Sequence, residues 1–143
     1  MNEIIGVTFP IRKSFIPRFF EDGKTVFIKP ATTFKNLRKG LRFIFYQSQK
    51  DIGFVGEAII EQITFSEDPF SFFDIYGEDI FLTKEELLKY IEDSKKWSRK
   101  RRKSEPRIRK WLAIKLESMQ AYDAPIKPQK FVPLGGQYIK SDI

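Results

Sequence analysis

Apolar and polar positions along this chain fall mostly in short stretches with the period of a strand. Residues 4–9 (IIGVTF) are apolar almost throughout and run into Pro10, which predicts a strand ending there. Residues 24–29 (KTVFIK) are β-branched and aromatic and stop at Pro30. A turn signal at Arg38, Lys39 and Gly40 precedes a third strand over 41–46 (LRFIFY). After a polar loop, a longer strand covers 54–64 (FVGEAIIEQIT). Gly56 inside that strand predicts a bulge or a close backbone approach. Residues 111–117 (WLAIKLE) alternate, which directs Leu112, Ile114 and Leu116 inward and Trp111, Ala113, Lys115 and Glu117 outward. A passage with Pro125, Pro128 and Pro133 then leads to a closing strand at 135–139 (GGQYI).

Three helices are signalled between these strands. Ser14 is placed to cap a short one with Phe15, Ile16, Phe19 and Phe20 toward the core and Gly23 at its end; Pro17 falls in its first turn. Asp68 and Pro69 start another, which ends at Gly77. The third begins at Thr83, where Thr83 and Glu86 form a capping box and Leu82 with Leu87 a hydrophobic staple. Leu87, Tyr90, Ile91 and Trp97 keep helical spacing behind it. Six or seven strands with three helices in mixed order predict an α+β fold, and strands this short suit a small closed or partly open barrel. A length of 143 residues fits one domain over 1–143.

Composition narrows the chemistry. The chain has neither Cys nor His, so disulfides, thiolate nucleophiles, Cys/His zinc sites and every His-based catalytic triad are excluded. No metal and no cofactor is expected. No apolar run approaches the roughly 20 residues of a membrane span, so no membrane partner is expected. The start, MNEIIGVTFP, puts Glu3 where a signal peptide has positive charge, which reads as cytoplasmic.

Net charge is +7, and its distribution is uneven. Residues 95–110 hold ten basic residues (Lys95, Lys96, Arg99, Lys100, Arg101, Arg102, Lys103, Arg107, Arg109, Lys110) and one acid, Glu105. That segment is +9, and the other 127 residues, with 16 basic and 18 acidic side chains, total −2. Such a block suits a phosphate backbone, where counterion release rewards clustered cations; the alternatives are a solvated loop and an adaptor arm for an acidic partner. Trp97, near its start, and Trp111, just past its end, either stack on bases or pack against the body.

Other motifs weigh less. Gly23, Lys24 and Thr25 match the end of a phosphate-binding loop, but position 18 is Arg18 and a helix precedes the motif, so that loop is rejected. Glu57 stands mid-strand after Gly56. It is either a solvent-facing strand residue or a catalytic carboxylate.

With these segments in view the chain resembles the PUA-like superfamily. Residues 43–60 (FIFYQS…GFVGEAII) look like the paired strands of EVE and ASCH domains, and residues 23–29 (GKTVFIK) look like the ASCH segment in which a Gly, a Lys and a later basic residue enclose a strand. Through a turn over 122–126 (YDAPI) and the ending at 135–138 (GGQY), the whole chain is similar to an archaeal family of uncharacterised PUA-like proteins. The resemblance implies a small PUA-like mixed β-barrel with short flanking helices, binding nucleic acid, RNA more than DNA.

In EVE and YTH relatives aromatic side chains cage a flipped base, and polar groups after the aromatic-ended strand read its edge. The matching positions are Tyr46, Gln47 and Ser48; Phe54, Trp97 and Trp111 are candidate walls on chemistry alone. Residues 43–56 are therefore expected to wall a base-sized pocket, with Gly53 and Gly56 leaving room. Some ASCH relatives are amidohydrolases acting on acylated cytidine, using a Lys, a Thr three residues later and a distant Glu. Lys24 matches the Lys, but Phe27 stands in the Thr position, and Glu57 and Glu78 are both candidates for the acid. Three functions follow: a nucleic-acid-binding domain that reads a modified base, an ASCH-like amidohydrolase acting on a modified nucleoside, and a non-catalytic adaptor using a basic arm.

Overall fold

The computed structural model describes residues 4–30, 37–48, 52–101, 110–128, 132 and 136–140, with backbone alone over 94–101. Six strands form one sheet: β1 (Gly6–Arg12), β2 (Val26–Pro30), β3 (Arg42–Ser48), β4 (Gly53–Ser66), β5 (Trp111–Ile126) and β6 (Gln137–Ile139). Their order is β2-β5-β4-β3-β1-β6, with β1 and β3 parallel and every other pairing antiparallel. The helices are α1 (Ile16–Phe20), α2 (Phe72–Tyr76) and α3 (Lys84–Arg101). The mixed α+β class is as expected, but the sheet does not close into a barrel. Closure would need β2 to reach β6. Instead the outer side of β2 is taken by the segment before α3: Thr25 donates its N–H to the Asp79 carbonyl at 2.9 Å, and Phe81 donates to the Val26 carbonyl at 3.0 Å.

Strand ends differ from the pattern for local reasons. β1 runs through Pro10 to Arg12, because β6 pairs only with Gly6, Val7 and Thr8 and leaves β1 one partner at Pro10. A strand tolerates a residue without an N–H where one side is open. β5 extends to Ile126, well past Glu117, since beyond Leu116 it pairs with β4 alone and Pro125 again meets an open side. The turn expected over 122–126 is therefore strand. Ser14 does not cap α1, which instead follows a turn in which Phe15 donates to the Arg12 carbonyl at 2.9 Å. Trp111 and Ala113, expected outward, are buried with Leu112, Ile114 and Leu116, because β5 is covered on both faces. The Tyr90 ring of α3 lies 5.6 Å from Trp111.

A series of phenylalanine rings runs through the core. Phe27 stacks on Phe9 at 5.5 Å and on Phe81 at 5.2 Å and meets Phe43 edge-on at 5.3 Å; Phe19 continues the series to Phe45. A second, smaller cluster of Ile44, Phe54, Val132 and Ile139 includes Tyr46 and Tyr122 at its margin. Among the described residues no helix is long and apolar enough to cross a membrane.

Candidate functional site

A cleft of about 600 Å³ opens where the end of α1, the start of β2 and the segment between α2 and α3 converge. Two glycines make that convergence possible. Gly23 (φ +75°) ends α1 so that Lys24 returns its N–H to the Arg18 carbonyl at 2.9 Å, and Gly77 (φ +56°) ends α2 so that Glu78 turns back beside β2. Both conformations are left-handed, where a side chain would be strained. Lys24 Nζ then donates to the Glu78 carbonyl at 2.5 Å. Asp22, Phe73 and Thr83 complete much of the wall, and Lys84 stands over the Phe73 ring at 5.7 Å.

Arg18 holds the floor of this cleft to α3. Its guanidinium donates to both Glu86 carboxylate oxygens, at 2.6 and 2.9 Å, and to the Phe81 carbonyl at 2.8 Å, while lying 4.6 Å from the centre of the Phe15 ring. Glu86 also completes the expected capping box, accepting the Thr83 N–H at 2.9 Å while its own N–H goes to Thr83 Oγ1 at 3.1 Å. The Arg18 hydrogen bonds draw the Glu86 carboxyl down to about 2 against the opposing effect of burial, and they raise Arg18 in return. The cleft thus lines up Lys24 and Lys84, the Glu86-bound Arg18, two acids and two aromatic walls, which can orient a polar ring.

The two candidate acids part company. Glu78 lines the cleft with Lys24, whereas Glu57 is gripped by Arg42, Nε to Oε2 at 3.0 Å and Nη2 to Oε1 at 2.8 Å, and accepts the Tyr122 hydroxyl at 2.9 Å. Those donors, Arg42 foremost, lower the Glu57 carboxyl despite burial. It is neither a simple solvent-facing residue nor a neighbour of Lys24 in the cleft. The sequence left Glu57 and Glu78 both open, and the helix-stop Gly77 that turns Glu78 back toward β2 is the local signal that favours Glu78. Phe27 is buried in the ring stack, so no hydroxyl stands at its position.

The room expected at Gly53 and Gly56 is taken up by neighbouring groups. A Cβ on Gly56 would sit 2.4 Å from the Phe20 ring and 2.8 Å from the Gln120 carbonyl, so Gly56 admits the ring instead of leaving a space; Gly53 is similarly approached by Ile126 and Pro125. Gln47 is buried, Ser48 half-buried, and Tyr46 packs edge-on against buried Phe54 at 5.6 Å. None of the four lines the cleft. Of the basic segment, Trp97, Arg99, Lys100 and Arg101 lie on the C-terminal half of α3, while Arg102, Lys103, Arg107 and Arg109 lie outside the described residues. Lys110 is exposed, and Trp111 is packed.

Comparison with known proteins agrees with this architecture. The ASCH protein of Zymomonas mobilis superposes with a TM-score of 0.67 at 16% identity over 94% of this chain and 87% of its own, and its serine-to-alanine variant with 0.69 at 16% over 97% and 91%. "Uncharacterized protein MJECS03" of Methanocaldococcus jannaschii is 42% identical over 103 residues, 71% of this chain and 92% of that protein. A family model described as "Domain of unknown function (DUF365)" matches residues 4–141. The chain therefore belongs to the DUF365 family, and its fold is like that of the ASCH protein.

Proposed function

We propose that this chain is a nucleic-acid-binding PUA-like domain, with RNA preferred to DNA, in which residues 95–110 neutralise phosphates and the cleft beside Lys24 accepts a base. One observation carries the reading: +9 of charge sits in 16 residues of a protein otherwise at −2. α3 delivers the first part of that charge on a continuous helix whose opening turn is a wall of the cleft. Clustered cations of this density favour a polyanion through counterion release, and the aromatic and polar cleft suits the face and edge of a base.

The test is a salt titration of binding to a single-stranded RNA and a DNA of the same sequence. With about five phosphate contacts, log K should fall with log salt at a slope of about −3 to −4, and Arg101→Ala with Arg102→Ala should weaken all sequences alike and flatten the slope. No binding at low salt, or affinity indifferent to salt, overturns the reading. Binding of an acidic protein in its place would favour the adaptor. A second reading, hydrolysis of a modified nucleoside, is supported by Lys24 and Glu78 sharing the cleft, and opposed by Phe27.

A further inference from the structure

We infer that the cleft and the basic end of α3 are two anchors for one nucleic-acid strand, set a fixed distance apart, so that tight binding requires a minimum strand length. The inference rests on the nucleic-acid reading above and specifies how that site is built. Leu82, Thr83 and Lys84 belong to the cleft wall, and α3 runs without interruption from Lys84 to Arg101. At 1.5 Å per residue, Lys95 is about 16 Å and Arg101 about 26 Å along the axis from Lys84.

The start of α3 is fixed to the body. The Arg18–Glu86 pair, the Thr83–Glu86 capping box and fully buried Leu87 hold its first turn at the cleft. The separation of the two anchors is therefore set by the helix and not by a hinge. Between them the helix is unsuited to phosphate. Glu85, Glu92 and Asp93 are exposed there against a single exposed cation, Lys89, while Lys95, Lys96, Arg99, Lys100 and Arg101 follow. Charge along α3 thus divides into an acidic stretch that repels a backbone and a basic stretch that attracts it. A strand held at both ends passes the middle without close contact.

Length then follows. A stacked strand advances about 3.4 Å per nucleotide, so roughly five nucleotides reach from the cleft to Lys95 and about eight to Arg101. A ligand below that span engages one anchor, and a ligand above it engages both, with the second contact made at high effective concentration.

The experiment is a binding series with uridine monophosphate and oligouridylates of 2, 4, 8 and 12 nucleotides, using the full chain, Lys24→Ala, Lys84→Ala and the pair Lys100→Ala with Arg101→Ala. Affinity should rise about a hundredfold between 4 and 8 nucleotides and little from 8 to 12. Either cleft variant should abolish that step and flatten the salt slope of the 12-mer by no more than about 0.7, the share of one phosphate contact. The helix pair should also abolish it, while leaving the monophosphate unaffected. Circular dichroism of each variant confirms the fold, and agreement of the two cleft variants guards against a local effect of one. A smooth rise with length, or a step unchanged in both cleft variants, overturns the two-anchor arrangement while salt-dependent binding keeps the nucleic-acid reading. Absence of binding to every oligonucleotide overturns both.

Discussion

Arg18 and Glu86 meet side by side, Nη1 to Oε1 at 2.6 Å and Nη2 to Oε2 at 2.9 Å, and Oε1 accepts the Thr83 N–H as well. One carboxylate therefore both caps α3 and ties it to α1. Its carboxyl is held at about 2 against an ordinary 4.5, so its contribution is complete above about 4.5 and is lost as pH falls toward 2. Both side chains are close to one-third exposed (28% and 32%), and solvent screening limits the contribution to about 1–2 kcal/mol. Glu86→Gln should lower stability by that amount at pH 7 and should lose less than the parent between pH 5 and 3. Urea midpoints at several pH values measure this; curves that stay parallel into acid would contradict it.

Gly56 gives a second prediction. An added Cβ meets the Phe20 ring at 2.4 Å and the Gln120 carbonyl at 2.8 Å. Overpacking of this kind costs about 1–3 kcal/mol. Gly56→Ala should fall in that range, and adding Phe20→Ala should recover only part of the clash, since the Gln120 carbonyl belongs to the neighbouring strand. A double-mutant cycle on thermal unfolding reads the coupling. Full additivity would mean that the ring does not occupy the position over Gly56.

These two sites show how far the sequence could be read. The capping box at Thr83 and Glu86 was legible because it is local, spanning four residues with a fixed chemistry. Glu86's second partner was not, because Arg18 lies 68 residues away and its approach depends on β2 pairing with the segment at 79–81. Gly56 was legible as a bulge or close approach, and the register does shift there, between Phe54 and Gly56. Whether a glycine leaves a hole or admits a ring is a tertiary matter, and Phe20 comes from another element. The same limit explains the open sheet: strand count and length suggested closure, while the hydrogen bonds that occupy the edge of β2 carry no sequence period. Lys24 was singled out by its segment, but its acidic neighbour had to be chosen between Glu57 and Glu78 by the fold.

The third prediction concerns chemistry at Lys24. Phe27 is packed among Phe9, Phe43 and Phe81, so a hydroxyl nucleophile is absent where amidohydrolase relatives would place a Thr. A lysine bonded to a carbonyl can stabilise charge, but it does not supply the missing nucleophile. The chain should show no turnover of acylated cytidine in a product-release assay. Robust hydrolysis lost in Lys24→Ala, with the fold retained, would show that another group takes the hydroxyl's place.

Tyr122 and Glu57 supply the last prediction, at alkaline pH. Burial raises the Tyr122 phenol to about 12 from an ordinary 10, reinforced by its hydrogen bond to the Glu57 carboxylate and that group's charge, with Arg42 opposing. The folded protein therefore keeps this proton after the unfolded chain has lost it. For a raised pKa the stabilisation is complete below 10 and declines as pH rises from 10 to 12. Tyr122→Phe removes the group from both states, so it should abolish this part of the alkaline loss, about 1 kcal/mol after screening. At neutral pH it should cost about 1 kcal/mol for the lost hydrogen bond, because Arg42 still holds both Glu57 oxygens. Phenolate absorbance gives an independent readout: the parent should show an ionisation step near 12 that the variant lacks. A step that persists in Tyr122→Phe would assign the late-titrating phenol to a different tyrosine and leave the Tyr122–Glu57 bond without its alkaline signature.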